Sequence, residues 1–151
     1  FMGLLQKLLI ELGLDISLIN PFQMKTKGEM MKECKDPDYL NSHYQYTLSC
    51  SHPDQGRWTG EDAGHCGECL PCTIRRAAIR AAGLTDTSKY RHNYDTDTGA
   101  RDLKSYKLGL ATPKDSYAAI QMSGPIIERH NEYVRLYEEG LKELKSFIDT
   151  I

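Results

Sequence analysis

The sequence predicts a mainly α-helical fold with short strands, a four-cysteine metal site and a long C-terminal helix. Three observations carry that prediction. Leucines and other apolar residues recur at helical spacing over several separate stretches. Short alternating segments follow two of the early helices and suit strands. Three cysteines fall within seven residues, Cys66, Cys69 and Cys72, just ahead of a helix pattern.

Leu4, Leu5, Leu8, Leu9 and Leu12 form the first helical stripe, and Gly13 stops it. Ile16, Leu18 and Ile19 then read as a strand that ends at Asn20-Pro21, because a residue before proline avoids helical angles. Thr26 to Cys34 reads as a second helix, with Thr26 as N-cap and Glu29 completing a capping box. Tyr44, Tyr46 and Leu48 alternate toward Cys50 and suit a second strand. Helix, strand, helix, strand is the rhythm of the end of an α/β domain. Residues 51–65 are turn-rich. Leu70 to Ala82 is a helix closed by Gly83.

Thr85 to Thr112 reads as polar and irregular. Asp95, Asp97, Gly99 and Asp102 there resemble calcium-loop material, but the full spacing and bidentate glutamate are missing, which favours a solvated loop. Pro125 is placed to open the last helix at its first position. His130, Val134, Tyr137, Leu141, Leu144, Ile148 and Ile151 mark a seam along it. Packing within the domain is favoured for that seam, with a homodimer contact as the alternative. The organisation expected is thus 1–49 as the end of an α/β domain, 50–83 as a metal-binding loop and helix, 84–124 as a connector, and 125–151 as a helix.

The 151 residues carry 19 Lys and Arg against 21 Asp and Glu, so the net charge of −2 does not drive the chain onto nucleic acid. The apolar run Leu4–Leu14 is broken by Gln6, Lys7, Glu11 and Gly13, which makes it neither a membrane span nor a secretory signal pattern. Clustered cysteines without an export signal point to a reducing compartment, and a cytoplasmic protein is expected. The chain opens at Phe1 directly in a helix pattern, and is read as a piece whose N-terminal portion lies elsewhere.

Two residues between cysteines let a tight turn aim both sulfurs at one ion, about 2.3 Å from a zinc. A tetrahedral site needs a fourth ligand beyond Cys66, Cys69 and Cys72. Cys50 is assigned to it, with His65 as rival and His52 as a weaker one; Cys34 is expected to be a buried free thiol. Four thiolates close the site, so the zinc is expected to be structural. An iron–sulfur cluster and a redox pair are the other readings of such a run.

Three stretches occur in order: Asn20-Pro21-Phe22-Gln23-Met24-Lys25-Thr26-Lys27-Gly28-Glu29, Thr47-Leu48-Ser49-Cys50, and His65-Cys66-Gly67-Glu68-Cys69-Leu70-Pro71-Cys72-Thr73-Ile74-Arg75. Together they resemble the C-terminal half of 7-cyano-7-deazaguanine synthase, the QueC family of queuosine biosynthesis, over about Phe1 to Gly83. More narrowly they resemble the QueC-like proteins of bacterial anti-phage Qat systems, whose C-terminal extension Tyr90 to Ile151 would represent. The resemblance implies a PP-loop ATP pyrophosphatase parent that adenylates a carboxylate and then installs nitrogen, an ATP-dependent carbon–nitrogen ligase. It implies zinc on Cys50, Cys66, Cys69 and Cys72 and a purine-like small-molecule substrate. Lys27, Glu29 and Arg75 fall on recurrent positions of that family. With Trp58, on an unusually long Cys50–Cys66 loop, they are the candidate substrate-binding residues. Lys25 and Arg76 are further candidates for the same pocket. The Ser-Gly-Gly-x-Asp-Ser run that grips pyrophosphate in such enzymes does not occur in these 151 residues, so ATP is expected to act only in the longer parent and this chain to be inactive alone. The alternative is a non-catalytic zinc module that presents Arg75, Arg76, Arg80, Lys89 and Arg91 to a protein or nucleic-acid partner.

Overall fold

A computed structural model describes residues 1–112, 115–122, 124, 126 and 128–151. Seven α-helices are described: α1 (Met2–Glu11), α2 (Lys27–Lys32), α3 (Pro37–His43), α4 (Leu70–Ala81), α5 (Asp97–Ala111), α6 (Ser116–Gln121) and α7 (His130–Ile148). Two 3-10 turns, Tyr44–Tyr46 and Pro53–Thr59, lie before α4.

The centre is α4. Its inward face buries Cys72, Thr73, Arg75, Ala77, Ala78 and Ile79. The small Ala77 lets α7 approach, and Ala77 joins Tyr94, Phe147 and Ile148 in one apolar cluster. Leu103, Tyr106 and Leu110 of α5 and Leu144 of α7 pack around it. Ile79 and Ile148, 1% and 2% exposed, each contribute about 1.5–3 kcal/mol by leaving water. Leu144 and Ile148 of the last helix's seam therefore pack within the chain, against the α4 cluster, while Ile151 at the seam's end stands exposed and His130 stacks on Tyr117 of α6. The last helix's expected start at Pro125 lies outside the described residues, and the helix described begins at His130.

Local signals placed α2 correctly. The Thr26 hydroxyl accepts from Glu29 N while the Glu29 carboxylate accepts from Thr26 N, the reciprocal capping box. The C-terminal helix then grips this start. Arg135 Nη1 pairs with Glu29 at 2.6 Å, Arg135 also reaches the Met24 carbonyl, and Thr26 donates to Glu143.

Three expectations are corrected. No strand occurs among the described residues; one parallel bridge, His65 to Tyr90, is the only ladder contact there. Over 16–19 the chain is extended, but its groups pair with a side chain: Gln6 donates to Ile16 O at 2.8 Å and accepts from Leu18 N at 2.7 Å. Over 44–48 the alternation marks no face. Tyr44 is buried and turns into a 3-10 segment, while Tyr46 and Leu48 are 78% and 50% exposed. The polar connector contains a fifteen-residue helix, α5, with Asp97 and Asp102 on it rather than on a calcium loop. Finally, Cys34 is half-buried and its thiol contacts Asp36 O, so it is no core thiol.

No described helix is long and apolar enough to cross a membrane. α1 has no buried residue, and Leu4, Leu8 and Ile10 stand exposed on it.

Candidate metal centre

Cys66 and Cys69 sit on the turn before α4, Cys72 lies in its first turn, and Cys50 arrives on the extended segment after Tyr46. Pro71 is accommodated in that first turn because no intrahelical donor is needed there. Gly67, at φ +94°, turns the chain between Cys66 and Cys69 in a region that disfavours any side chain.

The four sulfurs lie within 4.8 Å of one another. Cys50 Sγ to Cys69 Sγ is 3.9 Å and Cys66 Sγ to Cys72 Sγ is 4.0 Å. Tetrahedral zinc–thiolate geometry requires about 3.8 Å between sulfurs, whereas a disulfide requires about 2.05 Å. All four cysteines are free. Backbone donors already face them: Cys66 N and His52 N point at Cys50 Sγ, both at 3.3 Å, and Cys69 N at Cys66 Sγ at 3.4 Å. Such donors stabilise thiolates.

Electrostatics fit a cation at the centre. Burial pushes the Cys69 thiol up, but N–H groups of Ser51 and Cys72, with the neighbouring Cys66 and Cys72 thiols, outweigh it and bring it down to about 6. Burial pushes Cys66 and Cys72 up instead. Burial thus opposes ionisation of Cys66 and Cys72 beside Cys69, and a dication held among the sulfurs would offset that cost. The donors present therefore fit a metal ion held by sulfur.

His65, the rival ligand, is not in the group. Its Nε2 faces Thr47 O at 3.0 Å and its Nδ1 is 3.9 Å from Cys72 Sγ. Burial, with Arg75 nearby, lowers its pKa, so the neutral ring donates from Nε2 to that carbonyl.

Beside the centre a cleft of about 650 Å³ opens between α2, α3 and α4. Met30, Met31, Leu40, Leu48 and Ile79 give it an apolar lining, and Lys27 and Arg75 bring positive charge with no lining Asp or Glu among the described residues. Arg75 is 7% exposed; Nη1 donates to the Thr47 hydroxyl at 2.7 Å, Nη2 to Tyr44 O at 2.6 Å, and Nε has no partner. The other candidates lie elsewhere. Glu29 is committed to its cap and to Arg135. Trp58 is 93% exposed on the 3-10 turn and does not line the cleft. Lys25 pairs with Glu33. Arg76 packs on the Tyr90, Tyr94 and Phe147 rings, 4.9–5.6 Å from their centroids.

The sequence offered Arg91 only as a partner-contact cation and gave Glu68 no role. Arg91 binds the Cys50–Cys66 loop through Glu61, Asp62 O, Pro53 O and Gly64 O. Glu68 holds Thr96. Both act across about 28 residues or more, and no local spacing announces them.

A helical unit carrying a four-sulfur knuckle beside a basic-rimmed cleft is the class that fold and site define. Residues 1–83 match the family described as Queuosine biosynthesis protein QueC, and the chain belongs to that family. It is similar to the 7-cyano-7-deazaguanine synthase of Ectopseudomonas mendocina, 31% identical over 78 residues, 52% of this chain and 31% of the relative. The synthase of Cupriavidus taiwanensis is 36% identical over 66 residues, 44% of this chain and 25% of the relative. That of Methanocaldococcus jannaschii is 41% identical over 46 residues, 30% of this chain and 18% of the relative. The chain thus spans less than a third of the length of the curated relatives it matches. No solved structure matches it.

Proposed function

We infer that this chain is the zinc-bearing C-terminal part of a QueC-like, ATP-dependent synthase acting on a deazapurine-type substrate. The carrying observation is the four-sulfur group packed beside the cleft that Lys27 and Arg75 line. The four-cysteine set holds a structural Zn2+, because four thiolates leave no position for a reacting water. The cleft takes a flat heterocycle on its apolar floor, with Lys27 and Arg75 facing the electron-rich edge; its volume lies within the range of small-molecule sites. The unpartnered Arg75 Nε is a donor that a bound acceptor would satisfy. Glu29 supports this site from outside the cleft, through the capping box that starts the helix bearing Lys27. ATP is gripped by residues beyond these 151, which contain no phosphate-gripping run. The kinship with anti-phage Qat proteins belongs to the same proposal.

The reading as a partner-binding zinc module is less supported. Three of its five contact cations, Arg75, Arg76 and Arg91, make internal bonds.

Titration with 7-cyano-7-deazaguanine tests the cleft. Saturable binding is expected, weakened about tenfold by Lys27→Ala at the cost of one charged contact. Absence of binding, or binding indifferent to Lys27, contradicts the assignment. Steady ATP turnover by the 151-residue chain would contradict its being inactive alone.

A further inference from the structure

Residues 84–151 lie beyond the family match, yet part of them walls the cysteine knuckle. From Tyr90 to Gly99 the chain runs along the ligand turn. Arg91 N donates to His65 O at 3.1 Å and His92 N to Cys66 O at 2.9 Å. The Thr73 hydroxyl meets the Tyr94 hydroxyl at 2.8 Å, and Arg76 joins Gly67 O to Asn93 Oδ1 at 3.4 and 2.7 Å. A Cβ on Gly67 would collide with the His92 carbonyl, so the approach requires glycine. Tyr94 is held at φ +62° while 7% exposed, a backbone state that persists only where surrounding contacts enforce it.

Glu68 stands between Cys66 and Cys69 and is 7% exposed. Its carboxylate accepts from Thr96 N at 3.2 Å and from the Thr96 hydroxyl at 2.5 Å, the residue that caps α5. Gly99, in the first turn of α5, makes room for it: a Cβ there would strike the Glu68 carboxylate.

We propose that residues 90–99 are the outer wall of the metal knuckle and govern how firmly its ion is retained, with Glu68 as the positioning residue that joins wall to ligand turn. The inference rests on the reading that the four sulfurs hold a metal ion. The Cys66–Cys69 turn has little regular structure of its own; its Cys66 carbonyl is fixed by His92 N of the wall, or strap, and its Gly67 carbonyl by Arg76 of α4, which the strap holds through Asn93. Groups that orient metal ligands from outside change metal affinity by about 10–100-fold when removed. A ligand turn released from the strap samples geometries in which a sulfur leaves the ion and solvent enters.

The test is the rate at which the zinc-loaded full chain yields zinc to an excess of chromogenic chelator. Gly99→Ala separates the strap from a local role. Alanine favours a helix over glycine, so a purely local effect steadies α5 and leaves release unchanged or slower. The strap predicts release at least about tenfold faster, with helical circular dichroism retained. Glu68→Ala accelerates release to a similar degree. In that background Gly99→Ala adds nothing, because the carboxylate it would strike is gone. Unchanged release in Gly99→Ala, or additive effects of the two substitutions, overturns the inference and leaves the metal reading intact. If Gly99→Ala fails to fold, Glu68→Ala alone decides: unchanged release overturns the inference. A wild-type chain that takes up no zinc, cadmium or cobalt overturns the metal reading and the inference with it.

Discussion

Arg75 Nη1 donates to the Thr47 hydroxyl at 2.7 Å, which ties the helix carrying Cys72 to the segment that delivers Cys50. The same guanidinium donates to Tyr44 O at 2.6 Å and to Ser88 Oγ at 3.1 Å. One planar fork thus fixes where the two parts of the sulfur set meet. Arg75→Lys keeps the charge and loses the fork. A loss of about 2 kcal/mol in urea unfolding is expected, the usual worth of buried hydrogen bonds to a charged group. A change under about 0.5 kcal/mol, typical of a surface substitution, would show that the fork does not tie the segments.

Cys69 and Cys34 make a matched pair for metal analysis. Cys69→Ala removes a ligand and is expected to abolish stoichiometric metal and lower the melting temperature, since binding and folding are linked. Cys34→Ala, outside the sulfur group, is expected to keep both metal and melting temperature close to wild type. Equal metal loss in the two proteins would contradict the ligand set.

The Glu29–Arg135 pair makes a pH prediction. The Arg135 hydrogen bond holds the Glu29 carboxyl below its ordinary value. A carboxyl lowered by folding stabilises the folded state above its unfolded pKa, and that contribution fades as pH falls through the folded value. Arg135→Ala should therefore melt below wild type at neutral pH, and the two curves should converge as the pH is taken below the ordinary carboxylate range. A gap that persists in acid would assign the effect to packing instead.

What was legible in the sequence was local. Cysteine spacing, the Thr26–Glu29 box and the α4 pattern all depend on residues a few positions apart. The two strands failed because alternation says nothing about whether a neighbour offers an edge; residues 16–18 find a Gln6 side chain instead. Helix α5 was hidden by Gly99, Gly109 and a polar composition. Its start is fixed by Glu68 from 28 residues away, and its face by Tyr94 and the last helix. Of the four residues singled out for a substrate site, Lys27 and Arg75 line one cleft, while Glu29 and Trp58 lie outside it.

Trp58 is the only tryptophan, so its emission reports the Cys50–Cys66 loop directly. At 93% exposure it should emit as a solvated indole and quench freely with acrylamide. Trp58→Ala should leave stability within about 0.5 kcal/mol. A larger loss would mean that the ring packs against the molecule.

X-ray absorption at the zinc edge of the purified chain tests the central claim most directly. The account predicts about one zinc per chain in a shell of four sulfurs at about 2.3 Å with no nitrogen or oxygen neighbour. A shell containing nitrogen or oxygen, a coloured iron-bearing sample, or a disulfide among Cys50, Cys66, Cys69 and Cys72 would contradict it.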